Sequence, residues 1–198
     1  MRYLLLFLPA LLLAAQTPAT TKNFKESGSP TAPISMELYT DYQCPHCREF
    51  YLTDLPPLIK DFVRTGKVRL LHRDFPLPQF QYSRLAARYA NAAGKLGYYD
   101  LVANELFETQ PEWSQSGNVD AAVAKVVPPG DMQKVRDTVK NDPSLEAGIA
   151  KDVAKGIQDN LMSTPTIVIV TRGGKREVIN GGMPYAILKT YLEQRLAQ

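Results

Sequence analysis

The stretch that decides the fold is residues 34–47, which read ISMELYTDYQCPHC. Apolar and β-prone residues at 34–40 predict a strand that runs directly into Cys44. Apolar positions between 45 and 65 predict a helix, and a pair of prolines inside that segment predicts a kink or break in it. A second extended run at 67–72 follows the helix. This part of the chain therefore predicts a βαβ unit.

The rest of the chain predicts helices first and strands afterwards. Between 83 and 161 the apolar residues recur with helical spacing, which predicts several short helices. Their predicted N-caps are Asn118, Asp131 and Ser144. A β-branched run at 166–170 predicts a central strand with a hairpin partner at 175–179, and an amphipathic helix follows Pro184. The order predicts an α/β fold with a mixed sheet.

The first residues have the pattern of an export signal. A basic start is followed by an apolar run at 4–15 and by small residues, and the 12 residues of that run are fewer than the ~20 that span a bilayer. A buried helix and an uncleaved anchor are the alternatives. We predict an export signal at 1–19, a flexible tether at 20–33 and one folded domain at 34–198. This organisation predicts a periplasmic or other extracytoplasmic location.

Composition limits the kind of partner. The chain has 198 residues, 44% of them hydrophobic, and a formal net charge of +3. That is enough apolar material for one core, and the basic residues are dispersed, so no nucleic-acid-binding surface is predicted. A protein or small-molecule partner and a monomeric state are the expectations.

The only two cysteines, Cys44 and Cys47, are three positions apart. With no other cysteine in the chain, this pair cannot be one link of a larger disulfide framework, so its role is expected to be chemical. A cysteine at a helix start is favoured as thiolate, and a second one a turn later can close a small ring with it. Pro45 would fix the first turn, and His46 would add a donor or positive charge near the first sulfur.

The same spacing also forms half of a zinc site, so metal binding has to be considered. The two histidines are His46 and His72. His46 lies inside the ring that the cysteines would close, and no second C-x-x-C completes a set of four ligands. No metal site is therefore predicted, and His72 is interpreted as structural.

Taken together, the motifs resemble the DsbA-like branch of the thioredoxin superfamily. The sequence runs through strand, C-P-H-C, helix, strand, helical segment, Ser163-Thr164-Pro165-Thr166, hairpin and last helix. The segment 41–43 and several residues of the helical segment are also similar to that branch. These are Leu106, Phe107, Glu108, Gln110 and Trp113. The resemblance implies a thioredoxin fold with a helical insertion at about 76–161.

The resemblance also implies roles for single residues. Cys44 would be the exposed nucleophile or leaving group, Cys47 its buried partner, and Pro165 a cis-proline beside the disulfide. Thr164 would present its backbone to a client peptide. At Leu38 the chain departs from relatives that carry a buried carboxylate six residues before the first cysteine, and strand alternation turns Glu37 to the opposite face.

The implied activity is oxidation of cysteine pairs in client proteins, with no cofactor. The implied partners are unfolded or folding exported proteins with cysteines, and a membrane reoxidase of DsbB or VKOR type. A reductase or isomerase of the same fold is an alternative. A peptide-binding chaperone without redox turnover is another.

Overall fold

A computed structural model describes residues 23–197, and its sheet has the predicted mixed topology. The strands are β1 Glu26–Ser27, β2 Ile34–Thr40, β3 Val68–Asp74, β4 Thr166–Thr171 and β5 Arg176–Asn180. They lie in the order β1-β3-β2-β4-β5. β2 and β3 are parallel, whereas the other neighbouring pairs are antiparallel. The α/β prediction is confirmed, and the hairpin partner begins one residue later than predicted.

Helices fill the connections and the C-terminal end. They are α1 Pro45–Thr53, α2 Leu55–Leu58, a π-helix Ile59–Val63, α3 Ser83–Gly94, α4 Tyr99–Glu108, α5 Gln110–Ser116, α6 Val119–Ala124, α7 Pro129–Asn141, α8 Pro143–Gln158 and α9 Tyr185–Leu196. The predicted break after α1 is present, because a proline pair removes two amide donors and is tolerated only in the first turn of a new helix. Within residues 23–197, every helix is too short or too polar to cross a bilayer.

The predicted tether is wrong for its described part, residues 23–33. Glu26 and Ser27 pair with Leu71 and Leu70 of β3, which adds β1 to the sheet edge. Lys25 is only 9% exposed. The polar composition of this segment suggested a tether, but its charge is buried against carboxylates of the folded domain. The predicted signal at 1–19 and residues 20–22 lie outside the described residues.

Of the three predicted N-caps, one is correct and two are wrong. The Asn118 side chain accepts a hydrogen bond from the backbone of α6 at 3.2 Å. The α8 cap is Asp142, whose carboxylate accepts from the Ser144 amide at 2.9 Å, so Ser144 lies inside the helix. Likewise α7 begins at Pro129, which leaves Asp131 in its first turn. In both helices a proline at the first position moves the start upstream of the predicted cap.

Three apolar clusters place the cysteines at a junction. One cluster joins the sheet to α1, α2 and α9 and includes Leu38 and Leu188. A smaller one around Tyr39 covers the opposite face of the sheet. The third fills the insertion formed by α3 to α8, and it contains both cysteines. The pair therefore lies where the sheet meets the helical insertion.

Candidate active site

Cys44 is the N-cap of α1, with Pro45 at the first helical position. Its amide donates to the Asp41 carbonyl at 3.1 Å, and its carbonyl accepts from the Arg48 amide at 3.1 Å. The first turn of a helix leaves amide groups without intrahelical partners, and these favour a negative charge at this position. Strand β2 ends shortly before Cys44, and the start of α1 then fixes the position of the Cys44 sulfur.

The loop before β4 covers the Cys44 sulfur. The Thr164–Pro165 peptide bond is cis, as the resemblance implies. In its thiol form Cys44 donates to the Thr164 carbonyl at 3.3 Å. The Thr164 hydroxyl oxygen is buried and has no partner of ordinary hydrogen-bond geometry among the described residues. The geometry thus brings Cys44, Cys47, Thr164 and Pro165 together.

The two thiols have opposite acidities. A hydrogen bond from the Cys47 thiol lowers the pKa of Cys44 to about 5, against the opposing effect of burial. Hydrogen-bond contributions from Thr164 and from the amides of Cys47 and His46 lower this pKa further. Burial raises the pKa of Cys47 well above its ordinary value, and the interaction with Cys44 adds to the rise. One sulfur is therefore a thiolate at neutral pH while the other keeps its proton.

Cys44 is less exposed than the resemblance implied. Its residue surface is 4% exposed, compared with 0% for Cys47. The expectation of an exposed nucleophile needs correction, because Thr164 and the helical insertion enclose the sulfur from two sides. Pro45 and His46 are exposed beside it. These two residues thus form the exposed surface next to Cys44 in the chain.

Residues of the insertion hold the active-site loop in place, a contribution that helical periodicity alone could not reveal. The buried Gln110 amide donates to the Tyr42 carbonyl at 2.7 Å and to the Cys44 carbonyl at 3.0 Å. Arg48 Nε donates to the Phe107 carbonyl at 2.9 Å. The resemblance within the insertion pointed to two of these residues, Phe107 and Gln110, but it did not indicate what they contact.

On β2, Leu38 occupies the position at which relatives carry a buried carboxylate, and the neighbouring Glu37 does not substitute for it. Leu38 is fully buried in the apolar cluster under α1. Glu37 accepts a hydrogen bond from the Tyr39 hydroxyl at 2.9 Å and lies 3.5 Å from Arg73. These contacts are on the opposite face of β2, as strand alternation predicted.

His72 lies away from the sulfurs, at a cleft of about 1010 Å³ that neither cysteine lines. Burial, together with the charge of Lys25, lowers the pKa of His72 to about 4, so the ring is neutral at physiological pH. Its ring packs near Tyr51 and Tyr99, with centroids 6.2 and 5.8 Å away. Between residues 23 and 197, no group of three or more His, Cys, Asp or Glu could hold a metal ion.

Comparisons with known proteins agree with this geometry. A family model described as Thioredoxin matches residues 21–186. Disulfide bond formation protein D of Bacillus subtilis (strain 168) is 27% identical over 184 residues, which cover 85% of this chain and 75% of that protein. The crystal structure of oxidised BdbD from Bacillus subtilis gives a TM-score of 0.74 at 24% identity, covering 88% of this chain and 93% of that one.

A second solved structure gives a similar result. Wolbachia pipientis alpha-DsbA1 has a TM-score of 0.71 at 21% identity, and 87% of this chain and 90% of that one are covered. The predicted thioredoxin fold and the resemblance to DsbA-like proteins are confirmed.

Proposed function

The chain belongs to the thioredoxin family, and on that premise we propose that it is an exported thiol:disulfide oxidoreductase that oxidises cysteine pairs in client proteins. The observation that carries this proposal is the difference in acidity within one pair of sulfurs. The pKa of Cys44 is lowered to about 5, whereas burial keeps the Cys47 thiol protonated. The relative from Bacillus subtilis, named a disulfide bond formation protein, supports the same activity.

The reaction starts from the Cys44–Cys47 disulfide. A client thiolate attacks the Cys44 sulfur, a mixed disulfide forms, and Cys47 leaves as a thiolate and takes up a proton. The second client thiolate then attacks the client sulfur of that mixed disulfide and expels Cys44 as a thiolate. Two electrons pass from the client to the pair, and the client gains one disulfide.

The low pKa of Cys44 favours the oxidising direction. A stabilised thiolate is a good leaving group, and the same stabilisation favours the reduced enzyme and raises its reduction potential. The pKa of about 5 lies between the values of about 7 for thioredoxin and about 3.5 for DsbA. We therefore expect a potential above the roughly −270 mV of thioredoxin.

Client binding is assigned to the backbone of the loop before β4. The Thr164 carbonyl is in contact with the Cys44 sulfur, and an extended peptide that pairs with this loop would place its own cysteine beside the same sulfur. Main-chain pairing is independent of client side chains. This suits an enzyme that acts on many unfolded proteins.

The proposal includes the route of export and of reoxidation. The apolar run at 4–15 would direct the chain out of the cytoplasm and into an oxidising compartment, in which disulfides persist. A membrane protein of DsbB or VKOR type would return the pair to the disulfide. N-terminal sequencing of the protein recovered from the cell envelope tests export, with retention in the cytoplasm as the contrary result.

The activity is tested with the oxidised protein and a reduced, unfolded protein that has native cysteine pairs. We expect stoichiometric disulfide formation in the client and loss of activity in Cys44→Ser. Cys47→Ser, the matched control, keeps Cys44 but cannot form the Cys44–Cys47 disulfide, so it should not oxidise the reduced client either. Given a client that already contains a disulfide, its Cys44 thiolate should attack that bond, release one client thiolate and accumulate as a mixed disulfide, because no Cys47 thiol is present to resolve it.

Three results would oppose the proposal. A reduction potential near that of thioredoxin would favour a reductase. Rearrangement of wrongly paired client disulfides without net oxidation would favour an isomerase. Full activity of Cys44→Ser in a client-folding assay would favour a peptide-binding chaperone.

A further inference from the structure

Asp41 is a buried acid at the active-site loop. Its residue surface is 1% exposed. The carboxylate accepts hydrogen bonds from the amides of Gln43 and Leu77, both at 2.7 Å, and from the Ser83 hydroxyl. Among the salt bridges of residues 23–197, none involves this carboxylate. Asp41 is thus held by neutral donors alone.

The backbone of the same residue contacts both cysteines. The Asp41 amide donates to the Cys47 sulfur at 3.4 Å. Its carbonyl accepts from the Cys44 amide at 3.1 Å. The carboxylate fixes the turn that makes these two contacts, since its bond to the Gln43 amide closes that turn from within.

We propose that Asp41 is a positioning residue for both sulfurs and that its charge is coupled to the redox state of the Cys44–Cys47 pair. Reduction creates a thiolate at Cys44, and a negative carboxylate nearby opposes that charge. Reduction therefore favours protonation of Asp41, and oxidation favours loss of that proton. The inference rests on the proposed function only in that both concern the same pair.

The surroundings of Asp41 support this coupling. Burial raises the pKa of Asp41 to about 6; hydrogen bonds from Ser83, Leu77 and Gln43 oppose the rise, and the charge of Cys44 adds to it. The other titratable group that faces it from α1 is Cys47, whose pKa is far above neutral. The segment before α3 and α3 itself contribute an amide and a hydroxyl.

The site therefore holds two acids that titrate in the same pH range. Glu37, the nearest acid along β2, is bonded on the opposite face of that strand. Because their charges interact, Asp41 and Cys44 should lose their protons in two overlapping steps that belong to the pair. Reduction by a client dithiol then takes up one proton at Cys47 and, near pH 6, part of another at Asp41.

The test is a titration of the Cys44 thiolate by its ultraviolet absorbance in the reduced protein, with no client present. In the unchanged protein we expect a titration broader than that of a single group. In Asp41→Asn we expect a single step with its midpoint lower by about half a pH unit or more, because a negative charge is removed. Glu37→Gln is the matched control, and it should leave the midpoint unchanged.

A second measurement follows the carboxyl carbon of Asp41 by NMR in both redox forms. The pKa of Asp41 should be lower in the oxidised protein. Identical values in the two forms, or an unchanged or raised Cys44 pKa in Asp41→Asn, would overturn the coupling. A purely structural role would raise the Cys44 pKa, because the loop that holds the sulfur would loosen.

Ser83→Ala keeps the inference testable if Asp41→Asn does not fold. That variant keeps the charge and removes one donor to it, so the pKa of Asp41 should rise while its difference between the redox forms persists. Loss of that difference contradicts the coupling. A protein that shows the coupling yet fails to oxidise clients would retain this inference and lose the proposed function.

Discussion

Asp41 and the pair Asp74 and Asp152 are buried acids in opposite electrostatic settings. They are 1%, 3% and 5% exposed, so all three have lost most of their hydration. Lys25 Nζ lies 2.7 Å from Asp74 and 2.5 Å from Asp152, and Arg73 lies 2.8 Å from Asp152. The carboxylate of Asp41 has hydrogen-bond donors around it and a reactive sulfur nearby.

The comparison distinguishes buried charges that stabilise the fold, in the Lys25 cluster, from a buried charge beside the reactive cysteines, at Asp41. Burial alone would lower the pKa of Lys25, but attraction and hydrogen bonds from Asp74 and Asp152 outweigh it, and the pKa is raised. The ion pairs of that cluster join the N-terminal segment to β3 and α8. At Asp41 burial wins, and the pKa of about 6 lets the group titrate near neutral pH.

The largest expected effect comes from breaking the compensated cluster with Lys25→Met. The change leaves two buried carboxylates without their shared cation, and loss of one partner of a buried ion pair costs about 3–5 kcal/mol of unfolding free energy. Denaturant unfolding at pH 7 measures it.

Two variants bound that prediction. Lys189→Met removes an exposed lysine of α9 and should change the unfolding free energy by less than about 0.5 kcal/mol. Lys25→Met combined with Asp74→Asn should be more stable than Lys25→Met alone. Equal stability of Lys25→Met and Lys189→Met would mean that the cluster does not tie the segment to the domain.

The same contrast explains what the sequence predicted and what it did not. The strand before Cys44, the helix after it and the cis bond at Pro165 follow from local patterns and from a resemblance in motifs. Lys25 is far along the chain from its partners, and a polar segment of this composition has the pattern of a tether. Contacts between residues 49 and 127 positions apart depend on the assembled fold.

The second expected effect is a pH-dependent difference in stability between the redox forms. The pKa of Cys44 is about 5 in the fold and about 8.5 in an unfolded chain. Because the pKa of the Cys44 thiol is lowered on folding, its thiolate stabilises the reduced fold fully above pH ~8.5. This stabilisation is lost as pH falls through about 5. Allowing for solvent screening, the contribution at pH 7 is about 1–2 kcal/mol.

The oxidised form lacks this contribution and gains about 2 kcal/mol from closing a short ring. The two effects are similar in size at neutral pH, so the trend with pH is the decisive measurement. Unfolding of both forms between pH 4 and pH 8.5 should show the reduced form gaining relative to the oxidised one as pH rises. A difference that stays flat would contradict the pKa assigned to Cys44.

Asp41 acts on this trend with the opposite sign. Its pKa is raised to about 6 in the fold, so its ionisation destabilises the fold at neutral pH and the penalty is relieved as pH falls. The raised pKa is mainly an effect of burial, which both redox forms share. Asp41→Asn should therefore steepen the difference between the forms only modestly.

The smallest expected effect is that of the His46 side chain on the Cys44 thiolate. His46 is exposed, and the contribution of this residue to the lowered pKa of Cys44 comes through its backbone amide, which His46→Ala retains. A hydrogen-bond contribution from Thr164 lowers the same pKa, and the Thr164 hydroxyl is buried, so Thr164→Val should raise the Cys44 pKa more than His46→Ala does. Thiolate absorbance of the two reduced variants, titrated side by side, measures the order. If His46→Ala gives the larger rise, the histidine charge governs the thiolate from the exposed side, and the helix amides and the threonine are secondary.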